Sequence, residues 1–80
     1  MFRTFVKTDT IVLDDHTVAV QYFELRTQRG SWRYSADILL APGDRIILDD
    51  DSVTTLEARV ARLVPATLYS RVLAARPTAA

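Results

Sequence analysis

The segment that most constrains this fold is residues 44–76, where a short apolar strand leads through an acidic turn into a long helical pattern. Ser52 suits the N-cap position of a helix, and Asp50 and Asp51 favour the positive end of the helix dipole. Pro65 lies inside the pattern, and a proline within a helix removes a backbone donor at a cost of about 3 kcal/mol. We therefore predict a helix that begins after Ser52 and is broken or kinked at Pro65.

The apolar residues before and after Pro65 fall on different sides of a helical wheel. With about 100° per residue and Val53 at the origin, the first stripe is centred near about 340° and the second near about 130°. Arg71 returns to the side of the first stripe, at about 0°. The first stripe contains Val53, Leu56, Val60, Leu63 and Val64, and the second contains Leu68, Tyr69, Val72 and Leu73. A straight helix would not lay both stripes on one sheet, so we expect the second stripe to face elsewhere.

Residues 2–13 are rich in Phe, Val, Ile and Thr, which favours strand structure. Phe2 and Val6 share one face under strict alternation, whereas Phe5 falls on the other. This phase slip predicts either one strand with a bulge or two short strands. A polar turn follows at residues 14–16, where aspartates can bond their own backbone.

Residues 17–27 and 31–40 have the pattern of a β-hairpin. Gly30 suits the left-handed position that closes a three-residue loop with a bulge. If Thr27 pairs with Ser31, one face of the hairpin is coherently apolar and ends in an arginine on an indole ring. The predicted cross-strand pairs are Val18 with Leu40, Val20 with Ile38, Tyr22 with Ala36, Glu24 with Tyr34, and Arg26 with Trp32.

A turn signal at residues 41–44 leads into a last strand, residues 45–48. Alternation places Ile47 on the first face of the sheet, and Ile46 and Leu48 on the second. That second face also carries apolar hairpin residues, which are Ala19, Phe23, Leu25 and Leu39. We therefore predict an α+β fold, in which an antiparallel meander of four or five strands precedes the C-terminal helical region.

Composition limits the domain organisation and the chemistry of the chain. Eighty residues form one small domain, which we place at residues 1–76 with a flexible tail at residues 77–80. Ten basic and ten acidic side chains cancel, so no global charge favours nucleic acid or an anionic membrane. No apolar run approaches the roughly 18 residues of a membrane span. The absence of cysteine fits a cytoplasmic location, and nine arginines against one lysine fit a bacterial source.

No catalytic, cofactor or metal motif stands out in this sequence. The acidic clusters at residues 14–15 and 49–51 offer oxygen ligands, but their spacing matches no EF-hand loop. A meander also places them at opposite ends of the sheet, so we expect turn and helix-cap roles and leave cation binding open. His16 is the only histidine, and no nucleophile and base can be paired with it. We predict a protein that is not an enzyme and needs no cofactor.

The tip of the hairpin combines arginines with aromatic rings, as in β-ribbons that bind nucleic acid. The topology also brings this tip close to residues 49–51. We expect those aspartates to neutralise the arginines, which would leave too few free cations for phosphate binding. The residues of this alternative nucleic-acid hypothesis are Arg26, Arg29, Trp32 and Arg33.

The apolar residues on the second sheet face and after Pro65 predict an interaction surface. One broken helix would have to cover two apolar sheet faces in a monomer, unless its second half folds back over the second face. Closed two-fold dimers are the commonest way to hide such a surface. We therefore predict a small interaction domain, homodimeric, that binds a protein partner or supports an assembly. Its predicted interface residues are Phe23, Leu25, Leu68, Tyr69, Val72 and Leu73.

Overall fold

The computed structural model describes residues 2–75, and the side chains of residues 3–74. Its elements are β1 (Phe2–Leu13), β2 (His16–Arg26), β3 (Trp32–Ala41), β4 (Asp44–Asp50) and α1 (Val53–Ala75). The strands form one antiparallel sheet in the order β1, β2, β3, β4. The predicted α+β meander with a C-terminal helix is therefore confirmed. The predicted tail at residues 77–80 lies outside the described residues.

β1 is a single strand with a bulge, which resolves the two possibilities left by the sequence. The pairing register with β2 shifts between Phe5 and Lys7, so Val6 is the extra residue. Phe5 consequently lies opposite Phe23 on one face of the sheet, whereas Lys7 lies opposite Tyr22 on the other. The bulge explains why the apolar residues of this strand do not alternate strictly.

The hairpin of β2 and β3 has the predicted register. The Thr27 amide donates to the Ser31 carbonyl at 2.9 Å, and Gly30 adopts a left-handed φ of 81° that closes the loop. At the tip, the Arg26 guanidinium lies 5.4 Å from the centre of the Trp32 ring, as the cross-strand pairing predicts. Local turn chemistry was therefore sufficient to determine the alignment of these two strands.

β4 faces the opposite way from the prediction. The register of β3 and β4 shifts between Leu39 and Ala41, next to the turn that joins the strands. The extra residue in β3 shifts the alternation of β4 by one position. Each β4 side chain therefore lies on the sheet face opposite to the predicted one. Ile46 and Leu48 pack against the core, and Ile47 lies on the second face, where it is 57% exposed. The predicted facing of these three residues was wrong.

The core lies between the first sheet face and α1. Its buried members are Val18, Val20, Tyr22, Ala36, Ile38 and Leu40 from the sheet, and Leu56, Val60, Val64 and Leu68 from the helix. The helical members recur at every fourth position and form one ridge inclined about 26° to the helix axis. An oblique ridge of this kind continues past Pro65 without a change of face, so one helix covers one face of the sheet.

α1 runs from Val53 to Ala75 with Pro65 inside it, so the expected break into two helices is not observed. The proline leaves the carbonyl of Ala61 without its usual helical donor. Because both residues are exposed, water can bond that carbonyl instead. The expectation that Leu68 faces away from the first stripe is also wrong, since this residue is buried with Val64. A kink at Pro65 stays a prediction.

Polar contacts fix where α1 begins and how it lies on the sheet. The Thr55 amide donates to the Ser52 hydroxyl at 3.4 Å, so the predicted N-cap is confirmed. Three ion pairs then connect the helix to the strands, each contributing at most about 1 kcal/mol because the groups are partly exposed. They join Lys7 to Glu57 at 3.3 Å, Asp50 to Arg59 at 3.1 Å, and Asp44 to Arg71 at 2.9 Å.

Candidate interaction surfaces

The sheet face opposite α1 is covered by no other element within residues 2–75, and we call it the open face. Its apolar members alternate with the core positions of the strands. They are Phe5, Val12, Ala19, Phe23, Leu25, Leu39 and Ile47. Leu39 is 46% exposed, and Phe5 and Val12 are more than half exposed. Because soluble monomers rarely expose large contiguous apolar patches, this face is a candidate interaction surface.

An aromatic pair occupies the β1 and β2 side of the open face. The rings of Phe5 and Phe23 meet edge to face, with centroids 5.9 Å apart and an interplanar angle of 71°. The Arg3 guanidinium lies 3.6 Å from the centroid of the Phe23 ring. Both contacts restrict the side chains before any partner binds. Aromatic residues and arginine are also the types enriched at the cores of protein interfaces.

Asp37 lies at the centre of the open face and is only 8% exposed. Arg45 donates through both Nε and Nη2 to its two carboxylate oxygens, with an Nε to Oδ1 distance of 2.7 Å. Arg3 approaches the same carboxylate at 3.8 Å. The hydrogen bond from Arg45 lowers the pKa of Asp37 below its ordinary value. The centre of this face is therefore a satisfied ion cluster, which a partner can cover without stranding an unpaired acid.

Acidification is expected to destabilise the fold through Asp37. Because its pKa is lower in the folded chain, its contribution is present above the unfolded pKa, about 3.9, and is lost as pH falls through the folded pKa. Asp37→Asn should therefore flatten the fall in the free energy of unfolding between about pH 5 and pH 2. Urea unfolding at several pH values measures this change. Asp15→Asn, in the exposed β1–β2 turn, is the control, and equal pH dependence of the two variants would contradict the assignment.

Both edge strands carry features that oppose association through added strands. β1 has the bulge at Val6, and Lys7 points inward, with its Nζ 5.2 Å from the centre of the Tyr22 ring. Bulges and inward charges are common devices that protect the edges of natural sheets. β4 is only seven residues long and carries Arg45 and Asp49. The open face is consequently a better candidate for association than either edge.

The C-terminal half of α1 presents a second exposed apolar surface, which we call the helix-end patch: Tyr69, Val72 and Leu73. Tyr69 is 66% exposed and Leu73 is 45% exposed. A groove of about 410 Å³ lies between this end of the helix and the β1–β2 turn, and its lining includes His16 at the start of β2. Leu68, which the sequence grouped with these residues, lines the groove but belongs to the core.

The six predicted interface residues do not form one surface. Phe23 and Leu25 are half-buried on the open face, whereas the helix-end patch lies on the other side of the sheet. Ile47, which was predicted to face the core, also lies on the open face, because the bulge in β3 shifts the alternation of β4. The Asp37 cluster had a signal in the sequence, since polar residues alternate with apolar ones along β3. No pattern in the sequence, however, indicated that Arg45 would bond to Asp37.

The hairpin tip differs from the prediction in its electrostatics. Asp50 bonds to Arg59, which also donates to the Asp49 carbonyl at 2.8 Å. Within residues 3–74, none of the tip arginines takes part in an ion pair; these are Arg26, Arg29 and Arg33. In this part of the chain the expected ion pairs between the tip and residues 49–51 are not formed, because Asp50 pairs with Arg59 of the helix, although Asp51 lines the same groove as Arg29 and Arg33.

The two acidic clusters serve turns in the structure. Asp14 adopts a left-handed φ of 53° in the β1–β2 turn, and the Asp50 carboxylate accepts from the Asp51 amide at 2.8 Å. The clusters lie at opposite ends of the sheet, as the meander predicts. Among the described residues, no group of three or more histidines, cysteines or acids is placed to hold a metal ion.

Comparison of this chain with protein-family models, with curated proteins and with solved structures gave no match. The single helix in the described part of the chain is not long and apolar enough to span a membrane. The proposed function therefore rests on the geometry of three surfaces, which are the open face, the helix-end patch and the hairpin tip.

Proposed function

We propose that this protein is a non-enzymatic interaction domain that forms a homodimer, with the open faces of two copies packed together. The exposure of Leu39 and Ile47 beside the Phe5 and Phe23 pair is the observation that carries this proposal. Two antiparallel sheets commonly pack face to face at about 10 Å, with side chains interdigitating between them. In such a dimer the two helices lie outside and the two sheets form a second core.

The size of the open face suits this arrangement. Four strands at about 4.8 Å spacing, each about ten residues long at about 3.3 Å per residue, give roughly 600 Å² in projection. A standard stable interface buries about 800 Å² of accessible surface on each partner. Since accessible area exceeds projected area on a surface of side chains, one sheet face is sufficient for a stable dimer.

The charges of the open face favour a second copy of the same chain. Arg3 and Arg45 are balanced by Asp37 and Asp49, while Arg33 lies at the rim beside the hairpin tip. A two-fold interface brings each surface against itself, so a face of one sign would repel its copy. A face with both signs can place arginines near the partner's aspartates, which gives electrostatic complementarity. The proposed dimer therefore needs no other molecule to neutralise the charges of the open face.

The test is the double substitution Leu39→Asp with Ile47→Asp. Two carboxylates on the open face should convert the dimer to a monomer, because packing the sheets together would bury unpaired charges. Sedimentation equilibrium at micromolar concentration should give twice the 9.0 kDa chain mass for the wild type and 9.0 kDa for the variant. Circular dichroism should show the same folded spectrum for both, since these side chains lie outside the core.

A matched control places the same charges on the helix-end patch. Tyr69→Asp with Leu73→Asp changes two residues of similar exposure on the other side of the sheet and should leave the dimer intact. Dissociation by this control alone would assign the interface to the helix-end patch. A wild-type mass of 9.0 kDa would overturn the homodimer itself.

A further inference from the structure

The hairpin tip presents an aromatic ring and free cations at one end of the molecule. Trp32 is 50% exposed, and the Arg26 guanidinium lies 5.4 Å from its ring centre. Arg29 is in the exposed loop, and Arg33 is exposed next to Trp32 on β3. Within residues 3–74 none of these three arginines forms an ion pair, so an exposed aromatic face lies beside cations that are available to an anionic ligand.

A surface groove of about 560 Å³ connects these groups. Its lining includes Arg29, Trp32 and Arg33, together with the hydrogen-bonding side chains of Thr27, Gln28 and Ser31. Asp51 is the only acid in this lining, against two arginines. Sites for small organic ligands have volumes of about 300–1,000 Å³, so the groove is large enough for a nucleotide unit.

We propose that this groove binds single-stranded nucleic acid. Trp32 stacks on one unpaired base, and Arg29 and Arg33 contact the phosphates on either side of it. Base stacking on an aromatic ring combined with basic groups along the backbone is the general mode of single-strand binding. The site lies at the hairpin tip, with only Arg33 on the rim of the open face, so it does not require the proposed homodimer.

The exposed indole distinguishes a single strand from other polyanions. In a duplex the faces of the bases are stacked and paired, so an indole outside the helix has no ring to meet. An acidic peptide would satisfy the arginines but would make no use of the aromatic surface. The zero net charge of the whole chain also disfavours long-range, non-specific attraction to DNA. Binding should therefore be confined to the tip and should involve Trp32 directly.

Trp32 is the only tryptophan of the chain, so its fluorescence reports on this site alone. We expect a single-stranded oligothymidylate to quench that fluorescence saturably at low salt, whereas a duplex of the same length should not. With two phosphates contacted, the logarithm of the affinity for a single strand should fall against the logarithm of salt concentration with a slope of about −1.4. The affinity itself is measured by the anisotropy of a fluorescein-labelled strand.

Matched substitutions separate the site from general electrostatics. Arg29→Glu should weaken binding roughly tenfold or more, because a phosphate contact is replaced by repulsion. Arg62→Glu makes the same change of charge on the exposed side of α1 and should leave the affinity unchanged. Trp32→Ala should also weaken binding roughly tenfold, with partial recovery in Trp32→Phe, which keeps an aromatic face.

Three results would overturn the proposal. The first is no saturable quenching by the single strand at low salt. The second is equal loss of affinity in Arg29→Glu and Arg62→Glu, which would assign binding to net charge. The third is equal binding of the duplex or of heparin without quenching, which would make the tip a general polyanion site. A wild-type chain that is monomeric but binds the strand would refute the homodimer and leave this proposal standing.

Discussion

Leu56→Ala is expected to lower the free energy of unfolding by about 2–5 kcal/mol. Leu56 is fully buried at the N-terminal end of the ridge that α1 lays on the sheet, in the same cluster as Ile38 and Val60. Removing its side chain loses the apolar transfer energy and leaves a cavity between two rigid layers, which close only partly around it. A domain of this size has a total stability of roughly 4–12 kcal/mol, so the loss is a large fraction.

Urea unfolding followed by circular dichroism measures this change. Wild type and variant are compared at the same protein concentration, because the apparent stability of a dimer depends on concentration. Leu73→Ala is the matched control, since it makes the same truncation on an exposed part of the same helix. The control should change stability by no more than about 0.5 kcal/mol. Equal effects of the two substitutions would contradict the placement of the core.

Pro65→Ala is expected to raise the free energy of unfolding by about 2 kcal/mol. Within a helix, proline costs about 3 kcal/mol through the missing donor and the clash with the preceding turn. Alanine at this position can donate to the Ala61 carbonyl and is the best helix former. The gain is reduced by about 0.4–1 kcal/mol, because proline also restricts the unfolded chain. The exposed position of Pro65 means that no core contact is lost.

The same urea experiment measures the effect of this substitution. Ala66→Gly is the companion variant, and it should lower stability by about 1 kcal/mol if the chain is helical immediately after the proline. A decrease in stability for Pro65→Ala would mean that a kink at this position is needed to seat Leu68 in the core. No effect of Ala66→Gly would indicate that the helix is interrupted there.

Local chemistry made much of the fold predictable. Gly30 set the loop of the hairpin, and the register that follows from Thr27 and Ser31 placed each core residue of β2 and β3 on the correct face. Ser52 marked the beginning of the helix for the same reason, since an N-cap acts on an amide three residues away. These features involve neighbours in the chain or across one tight turn, where geometry leaves few alternatives.

The candidate surfaces were only partly predictable. Phe23 and Leu25 were assigned to the second sheet face, and the structure places them there on the open face. Leu68 was assigned to an interface because the helical wheel averaged the apolar residues before and after Pro65 separately. That averaging does not reveal a single oblique ridge of residues spaced four apart, to which Leu68 belongs. The tip arginines were expected to form ion pairs with the acidic turn, but Asp50 of that turn pairs with Arg59 of the helix instead. Competition between ion-pair partners depends on distances that only the folded chain defines.

The sequence by itself determined the hairpin with its register and the helix that begins after Ser52, whereas it left the first strand as either one bulged strand or two short ones. Only the tertiary structure decided that β1 is a single bulged strand and which residues of β4 and of the second half of α1 face the core. A one-residue bulge beside Leu39 exchanged the faces of β4 and put Ile47 on the open face, because side chains alternate with a period of two. The packing of Leu68 on the sheet likewise keeps α1 helical after Pro65. Burial of apolar side chains on both sides of the proline offsets the free-energy cost of proline within a helix.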